Sequence, residues 1–187
     1  MTTDINELVR NHAMLVSVHI KHWAAKNQDP DAARVASQAS GAAGHGAFKA
    51  IKNLMHQHDS RLKDVQKAGT AVRNLHIEKT MAWGAGRTNH RMLPIVAFTE
   101  YSQAVSKAKT LYETALKEFM DHYEDDSRKA RGALNLPEDG HTLRMYPQLG
   151  DDLKSRFGLS VEFEPIATGT VFQNLPSTIA GAMDAAF

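Results

Sequence analysis

An apolar side chain recurs at every third or fourth position between Tyr101 and Tyr123. This spacing is the period of one face of an α-helix, and it continues for too many residues to belong to a strand. The stripe consists of Tyr101, Val105, Ala108, Tyr112, Ala115, Phe119 and Tyr123. We expect the helix to begin at Pro94, which suits a first helical turn, and to run to about Ala133. A helix of this length has to bury its stripe, so it constrains how the rest of the chain folds.

A second stripe of the same period predicts another long helix, from about Ala47 to Lys79. Its members are Phe48, Ile51, Met55, His58, Leu62, Val65, Gly69, Val72 and His76. Two amphipathic helices of comparable length can bury their stripes against each other, so we expect an antiparallel helical hairpin. The connection at 81–94 contains glycines and has room for a short strand at each end.

Two other segments alternate in polarity, which is typical of half-buried strands. In residues 14–23 one face carries Met14, Val16, Val18 and Ile20, and the other carries Leu15, Ser17, His19, Lys21 and Trp23. In residues 159–165 the inward side chains are Leu159, Val161 and Phe163, and the outward ones are Ser160, Glu162 and Glu164. Because an isolated strand leaves its backbone groups unpaired, we expect these two strands to pair.

Shorter helices are predicted from local signals. Asp29 followed by Pro30 is a good helix start, with an N-cap and a proline at the first helical position. That helix should run to about Ser40, where the glycine-rich residues 41–46 follow. Asp4 can cap a helix over residues 5–11, and Pro147 can start one over residues 148–157.

Together these elements predict an α+β fold, with a long antiparallel helical hairpin packed on a small, mainly antiparallel sheet. Residues 1–166 are expected to form a single domain. Residues 167–187 carry Asp184 as their only charged side chain and form a low-charge tail or arm. Such a segment either docks on its own domain or reaches into a neighbouring subunit, which favours a homo-oligomer.

The chain has 187 residues and no cysteine. The absence of cysteine excludes disulfides, zinc–thiolate sites, iron–sulfur clusters and thiol nucleophiles. The first residues contain acidic Asp4 and no apolar core, so no secretory signal is predicted. No stretch is apolar for long enough to span a membrane. We therefore expect a cytoplasmic protein with no membrane partner.

A net charge of +1 conceals a marked split between the two halves of the chain. Residues 1–92 carry thirteen basic and seven acidic side chains, together with eight of the ten histidines. Residues 93–187 carry nine basic and fourteen acidic side chains. This asymmetry indicates either a half that binds a polyanion or two halves that attract each other within or between subunits.

Residues suited to catalysis or metal binding are present, but their spacing is not that of a known motif. His56 and His58 point to different sides of a helix, and His19 and His22 lie on opposite faces of a strand. His58 and His76 fall in the apolar stripe, where we expect partly buried side chains with one hydrogen-bond partner each. No GxSxG elbow, Walker loop or dinucleotide fingerprint occurs. We therefore predict a non-enzymatic protein with no metal and no cofactor.

An acidic run at residues 121–126 lies near the end of the helix predicted from Pro94 to Ala133, where carboxylates oppose the helix dipole. Basic side chains at residues 128–131 follow and offset this effect. We interpret the run as a solvated charged face rather than as a carboxylate metal site.

The polar face of the first predicted strand is the best candidate for a binding surface. Lys21, Trp23 and Lys26 place an aromatic ring beside cations, and Arg87 and Arg91 add charge from the glycine-containing connection. An aromatic ring can stack a base while nearby cations neutralise phosphates, which is how single-stranded nucleic acid is bound. Nucleic acid is therefore the expected partner.

The tryptophans also have an ordinary explanation in packing. Trp23 would then cover the second face of the sheet under the hairpin, and Trp83 would fill the end of the hairpin. Both interpretations of each ring remain open from the residues alone.

One set of residues resembles a known group of proteins. It comprises Trp83-Gly84, Arg91-x-Leu93-Pro94, Tyr101 at the head of a long helix, and the strand Val161-Glu-Phe-Glu-Pro165. Over roughly residues 80–166 the chain resembles uncharacterised proteins encoded by bacteriophages and mobile elements. The resemblance implies a phage origin, hence a bacterial host cell, and a role in DNA handling or particle assembly. It implies no catalytic residues.

The function expected from the sequence is therefore non-enzymatic binding of nucleic acid, with single-stranded DNA as the partner. The first alternative is a structural or assembly protein that forms a homo-oligomer. The second alternative is a regulator that acts by binding a host protein.

Overall fold

A computed structural model describes residues 12–41, 48–55, 60–83 and 90–166 of the chain. The elements are β1 (Ala13–Lys21), β2 (Lys26–Gln28), α1 (Pro30–Ala39), β3 (Ile51–Asn53), α2 (Ser60–Lys79), β4 (Met81–Ala82), β5 (Arg91–Pro94), a 3-10 helix (Ile95–Ala97), α3 (Phe98–Ala133), α4 (Gly140–Leu143), α5 (Asp151–Lys154) and β6 (Gly158–Pro165). The α+β class is confirmed.

The chain divides into two compact units. The sheet unit takes in β1, β4, β5, β6 and the residues Asp64–Lys117, and the second unit consists of His22–Lys63 and Glu118–Phe157. The boundary passes through both long helices. Whether residues 1–166 behave as a single domain stays a prediction.

The sheet unit is built on a four-stranded antiparallel sheet in the order β4-β5-β1-β6. β1 therefore lies in the interior of the sheet and pairs with a strand on each side. Val16 lies opposite both Arg91 of β5 and Phe163 of β6. The predicted pairing of the first and last strands is confirmed, and so are short strands at both ends of the connection between the long helices.

The first strand ends earlier than the polarity pattern predicts. β1 ends at Lys21, which lies opposite Gly158, the first residue of β6. Residues 22 and 23 have no ladder partner because β6 begins there, so Trp23 lies beyond the strand and not on its polar face. The alternation predicted for residues 159–165 agrees with the burial pattern of β6. In β1, Met14 and Val16 are buried and His19 and Lys21 are exposed as predicted, but Ser17, predicted on the polar face, is buried.

The core of the sheet unit lies between β1, β5 and the first turns of α3. Its buried members are Met14, Val16, Leu93, Phe98, Tyr101 and Val105. Phe163 from β6 meets the ring of Phe98 edge-on, with 5.3 Å between ring centroids. Tyr101, Val105, Tyr112, Phe119 and Tyr123 are all buried, so the stripe that predicted α3 is the face the helix buries.

The second long helix, α2, is shorter than predicted. It begins at Ser60 and not near Ala47, because residues 51–53 form β3, which pairs antiparallel with β2. The amide of Leu54 also donates to the carbonyl of Ala25, and that of Asp29 to the carbonyl of Ala50. These bonds between distant segments satisfy the backbone without a helix.

The beginning of α3 also differs from the prediction. Pro94 is the last residue of β5, and a 3-10 turn separates it from the helix, which begins at Phe98. The helix ends at Ala133, as predicted. Pro94 pairs with Ala13 at the edge of a ladder, where a proline is tolerated although it has no N–H.

In the second unit, the predicted start of α1 is confirmed. The Asp29 carboxylate accepts a hydrogen bond from the amide of Ala32 and lies 3.1 Å from the Lys52 ammonium. The Ala32 amide, followed by the Lys52 side chain, lowers the pKa of Asp29 below its ordinary value. The helix predicted over residues 148–157 is present only as the four-residue α5.

The acidic run on α3 is not uniformly a solvated face. Asp126 is buried and accepts two hydrogen bonds from one guanidinium nitrogen of Arg61, at 2.8 and 2.9 Å. Arg61 comes from the start of α2, 65 residues away, so the pairing could not be inferred from local spacing. Asp125, by contrast, is exposed and pairs with Arg128.

Several predicted features lie outside the described residues: the helix over residues 5–11, residues 42–46 of the glycine-rich break, His56, His58, Arg87 and the tail at 167–187. None of the helices in the described ranges combines the length and the apolar character needed to cross a membrane.

Gly69 in the sheet unit offers a test of packing, and Gly132 in the second unit serves as its control. A methyl group added at Gly69 would lie 3.3 Å from Cγ2 of Ile20 and 3.7 Å from the Tyr112 ring, so leucine there would collide with both. We expect Gly69→Leu to lower the free energy of unfolding by about 1–3 kcal/mol. Gly132 on α3 has open space around it, so Gly132→Ala should raise stability by up to about 1 kcal/mol. Urea unfolding of both variants measures the contrast, and a harmless Gly69→Leu would contradict the close approach.

Candidate functional site

The structure does not gather the five predicted binding residues into one cluster. Lys21 and Arg91 belong to the sheet unit, Trp23 and Lys26 belong to the second unit, and Arg87 lies outside the described residues. Arg91 lies opposite Val16 of β1, five residues before Lys21. At about 3.4 Å per residue the two positions are about 17 Å apart along the strand.

Trp23 contributes to an aromatic cluster in the second unit. Its ring meets those of Tyr123 and Tyr146 edge-on, at centroid separations of 6.0 and 6.4 Å. Both tyrosine hydroxyls are anchored, one to the carbonyl of Pro147 and the other to that of Leu54. Burial raises the pKa of both phenols, so each stays protonated and remains a hydrogen-bond donor. The half-buried Trp23 ring therefore has a packing role.

Arg91 caps the C-terminal end of α2 by donating hydrogen bonds to carbonyl groups there. Its guanidinium donates to the hydroxyl and the carbonyl of Thr80, at 2.7 and 2.9 Å, and to the carbonyl of Ile77 at 3.3 Å. The last carbonyls of a helix have no partner within the helix, and a cation there also complements the helix dipole. Arg91 thus has a structural role in the sheet unit.

The residue that joins Lys21 in the structure is Arg73 of α2. With His19, Ser160 and the main chain of Gly158, these side chains line what we call the basic groove, a depression of about 560 Å³ where β1 ends and β6 begins. The remaining lining residues are Val18, Ile20 and Leu159. The lining contains no carboxylate among the described residues. A groove that carries one sign of charge attracts an anion.

The outward face of the β1–β6 pair changes charge along its length. Glu162 lies opposite Ser17, one step from the basic groove, and its carboxylate is 3.9 Å from the His19 ring. Glu164 lies further along, 3.5 Å from the ring of His90. The basic end of the pair is therefore local to Lys21 and Arg73, and not a property of the whole sheet.

A second cleft lies in the second unit, and we call it the arginine cleft. It has a volume of about 600 Å³ and is lined by Tyr123, Glu124, Ser127, Arg128, Arg131, Leu143, Arg144, Tyr146, Pro147, Gln148, Leu149 and Asp152. Arg128 and Arg131 are three apart on α3, whereas Arg144 comes from the residue after α4. The three-residue spacing of Arg128 and Arg131 could have placed both on one side of a helix, whereas Arg144 joins them only through the tertiary fold.

Arg131 is the unusual member of the arginine cleft. Its guanidinium carbon lies 5.4 Å from the centroid of the Tyr146 ring, which it covers. Its Nε is buried and finds no acceptor among the described residues. A buried donor without an acceptor costs about 1–3 kcal/mol.

A buried polar pair, His76 and Tyr101, fills the core between α2 and α3. Nδ1 of His76 lies 2.8 Å from the Tyr101 hydroxyl, and burial raises the pKa of that phenol. The predicted burial of His76 in the stripe is confirmed. Neither side chain lines the two clefts described above, so we assign the pair to packing.

Comparison with protein-family models, with curated proteins and with solved structures finds no significant match to this chain. Among the described residues, no three histidine, aspartate or glutamate side chains are grouped closely enough to hold a metal ion. The functional argument therefore depends on the two clefts.

The structural role of Arg91 can be measured directly. We expect Arg91→Gln to lower the free energy of unfolding by about 1–3 kcal/mol, because two carbonyls at the end of α2 lose their donor. Arg73→Gln removes the same charge from an exposed position and should change stability by less than about 0.5 kcal/mol. Thermal and urea unfolding of the two variants provide the comparison. Equal stabilities would show that the Arg91 bonds are dispensable.

Proposed function

We propose that this protein is a non-enzymatic nucleic-acid-binding protein, with single-stranded DNA as its partner and of the phage type that the sequence resemblance implies. The observation that carries the proposal is the basic groove, which Lys21 and Arg73 both line and to which the described part of the chain contributes no carboxylate. Phosphate neutralisation by such cations supplies most of the affinity of a protein for a nucleic-acid backbone.

The shape of the basic groove favours a single strand over a duplex. Base readout in duplex DNA requires an element that projects into the major groove. A concave site instead accepts a flexible strand whose phosphates approach the cations one at a time. Ser160 adds a hydroxyl donor, and the exposed His19 ring adds a surface against which a base can stack.

The other predicted contact residues differ in how far they are available to bind a nucleic acid. Lys26 is exposed on β2 and available to a phosphate. Arg91 keeps its charge, but a phosphate would compete with its bonds to Thr80 and Ile77. Trp23 would stack a base only with the part of its ring that Tyr123 and Tyr146 leave open. Arg87 remains a predicted contact.

The proposal predicts salt-dependent binding that is localised to the groove. We expect a labelled single-stranded oligonucleotide to bind most tightly at low salt. The slope of log K against log salt is negative. In the double variant Lys21→Gln with Arg73→Gln its magnitude should decrease by about 1.4, because each phosphate contact on a single strand contributes about 0.7. Fluorescence anisotropy titrations at several salt concentrations measure the slope.

The matched control removes two exposed charges elsewhere. Arg34 pairs with Asp31 on α1 and Lys67 pairs with Asp64 on α2. Lys67 is six residues from Arg73, which places it on another side of the helix. The double variant Arg34→Gln with Lys67→Gln should keep the wild-type slope. No binding at low salt, or an equal loss in both double variants, would reject the groove as a nucleic-acid site.

A second candidate function, assembly into a homo-oligomer, is supported by exposed apolar side chains in the sheet unit. Ile77, Met81 and Trp83 are exposed at the end of α2 and on or beside β4, and Val96 is 93% exposed. β4 is also an edge strand of the sheet. Exposed edges with apolar side chains are common sites of self-association.

We also retain the antiparallel helical hairpin, predicted from the two apolar stripes, as a proposal. In the sheet unit Gly69 lies near Tyr112 and His76 bonds to Tyr101, so later residues of α2 meet earlier residues of α3. This order supports an antiparallel arrangement of the two helices.

If the protein assembles into a homo-oligomer, introducing one charge on the edge strand should lower the molecular mass of the assembly. Met81→Lys places an ammonium on the edge strand and should shift a homo-oligomer toward monomers by at least about tenfold in dissociation constant. Val35→Lys introduces the same charge on α1 in the second unit and should leave the mass unchanged. Analytical ultracentrifugation over a range of concentrations measures both. A monomeric wild-type protein at all concentrations would remove this candidate.

A further inference from the structure

We propose that the arginine cleft is a binding site for a small phosphomonoester that carries an aromatic or aliphatic group. The described residues that line it all belong to the second unit, and none of them also lines the basic groove. It is therefore a separate activity from the binding of nucleic acid, and either can exist without the other.

The cationic side chains of the cleft hold donors that the described residues do not use. Arg131 has no carboxylate within ion-pair distance in the described ranges, and its buried Nε has no acceptor. Among the described residues, its one hydrogen bond to a side chain is a long one, 3.4 Å, to the hydroxyl of Ser127. Arg144 donates through Nε to the carbonyl of Gly140, which leaves the outer nitrogens of its guanidinium to face a ligand.

The two carboxylates of the cleft do not cancel this charge. Asp152 accepts from the amide of Gln148 and pairs with Arg156, which lies outside the cleft lining. Those two contacts, the amide first, lower the pKa of Asp152. Glu124 is exposed to solvent. Among the described residues of the lining, no carboxylate pairs with Arg131 or Arg144.

The geometry of the donors favours a phosphate over a carboxylate. A carboxylate offers two oxygens, which one guanidinium fork can satisfy. A phosphomonoester offers three terminal oxygens, so it has acceptors for both Arg131 and Arg144, while Arg128, which pairs with Asp125, adds positive charge to the same lining. Arg131 is also pre-oriented, because its guanidinium already lies over the Tyr146 ring.

The apolar part of the cleft accounts for the organic group of the ligand. Leu143 and Leu149 line it and are each 50% exposed, beside Pro147 and Tyr146. Inorganic phosphate would leave these side chains in water, whereas an aromatic or aliphatic ester would cover them. A cleft of about 600 Å³ falls within the usual range for small-molecule sites.

Trp23 provides a spectroscopic reporter for the site. The chain has two tryptophans, so Trp83→Phe leaves Trp23 as the only one, and its ring lies 6.4 Å from that of Tyr146. Titration of this full-length variant with phenyl phosphate should give a saturable change in tryptophan fluorescence. Inorganic phosphate and phenylacetate should each bind at least about tenfold more weakly, since each lacks one part of the ligand.

Substitutions in the same background assign the binding to the arginines. Arg131→Gln should weaken phenyl phosphate by at least about tenfold, as expected for loss of a charge-assisted hydrogen bond. Arg131→Lys, which keeps the charge without the fork, should recover only part of the affinity. Arg144→Gln changes an exposed position and should also weaken the binding of phenyl phosphate. It is the alternative test of the cleft if the Arg131 variants do not fold.

Arg73→Gln is the matched control, because it removes the same charge from the basic groove. It should leave phenyl phosphate binding unchanged. The inference is wrong if phenyl phosphate causes no saturable change, if phenylacetate binds as tightly, or if Arg73→Gln and Arg131→Gln weaken it equally. Oligonucleotide binding lost in Arg73→Gln but kept in Arg131→Gln would show that the two sites are independent.

Discussion

The pairing of β1 with a strand on each side is the constraint on which the sheet unit depends. β5 and β6 are far from β1 in sequence, yet both ladders close on it. The side chains that β1 buries, Met14 and Val16, are the base on which α3 packs Phe98, Tyr101 and Val105. Because a one-residue slip of β1 would turn these side chains to the other face, the register also decides where the helices lie.

The same register creates the basic groove at one end of the β1–β6 pair. β1 ends where β6 begins, so Lys21 and Gly158 lie side by side and Arg73 reaches them from α2. The arginine cleft differs in origin, since its cations come from one helix face and from the turn after α4. The basic groove is open to a chain of phosphates. The arginine cleft combines guanidinium groups with exposed leucines, and this combination suits a compact ligand.

The elements predicted correctly are those with a long local signal. The stripe on α3, the alternation in β6 and the Asp29–Pro30 start of α1 each depend on neighbouring residues of one element. The predictions that failed required knowledge of a partner. Residues 51–53 form a strand because β2 is beside them, and Asp126 is buried because Arg61 reaches it. Trp23 was placed on a strand that ends two residues earlier, because β6 offers nothing opposite it.

The sequence by itself determined the α+β class, the buried faces of α3 and β6, and the positions of the charges. Periodicity decides these because each face is set by a repeat within one element. Only the tertiary structure decided which cations meet. Lys21 is joined by Arg73 rather than Arg91, and Arg131 is joined by Arg144, because strand register and the turn after α4 bring together residues that no spacing in the chain relates. The site is therefore a property of long-range contacts, while the fold class is a property of local pattern.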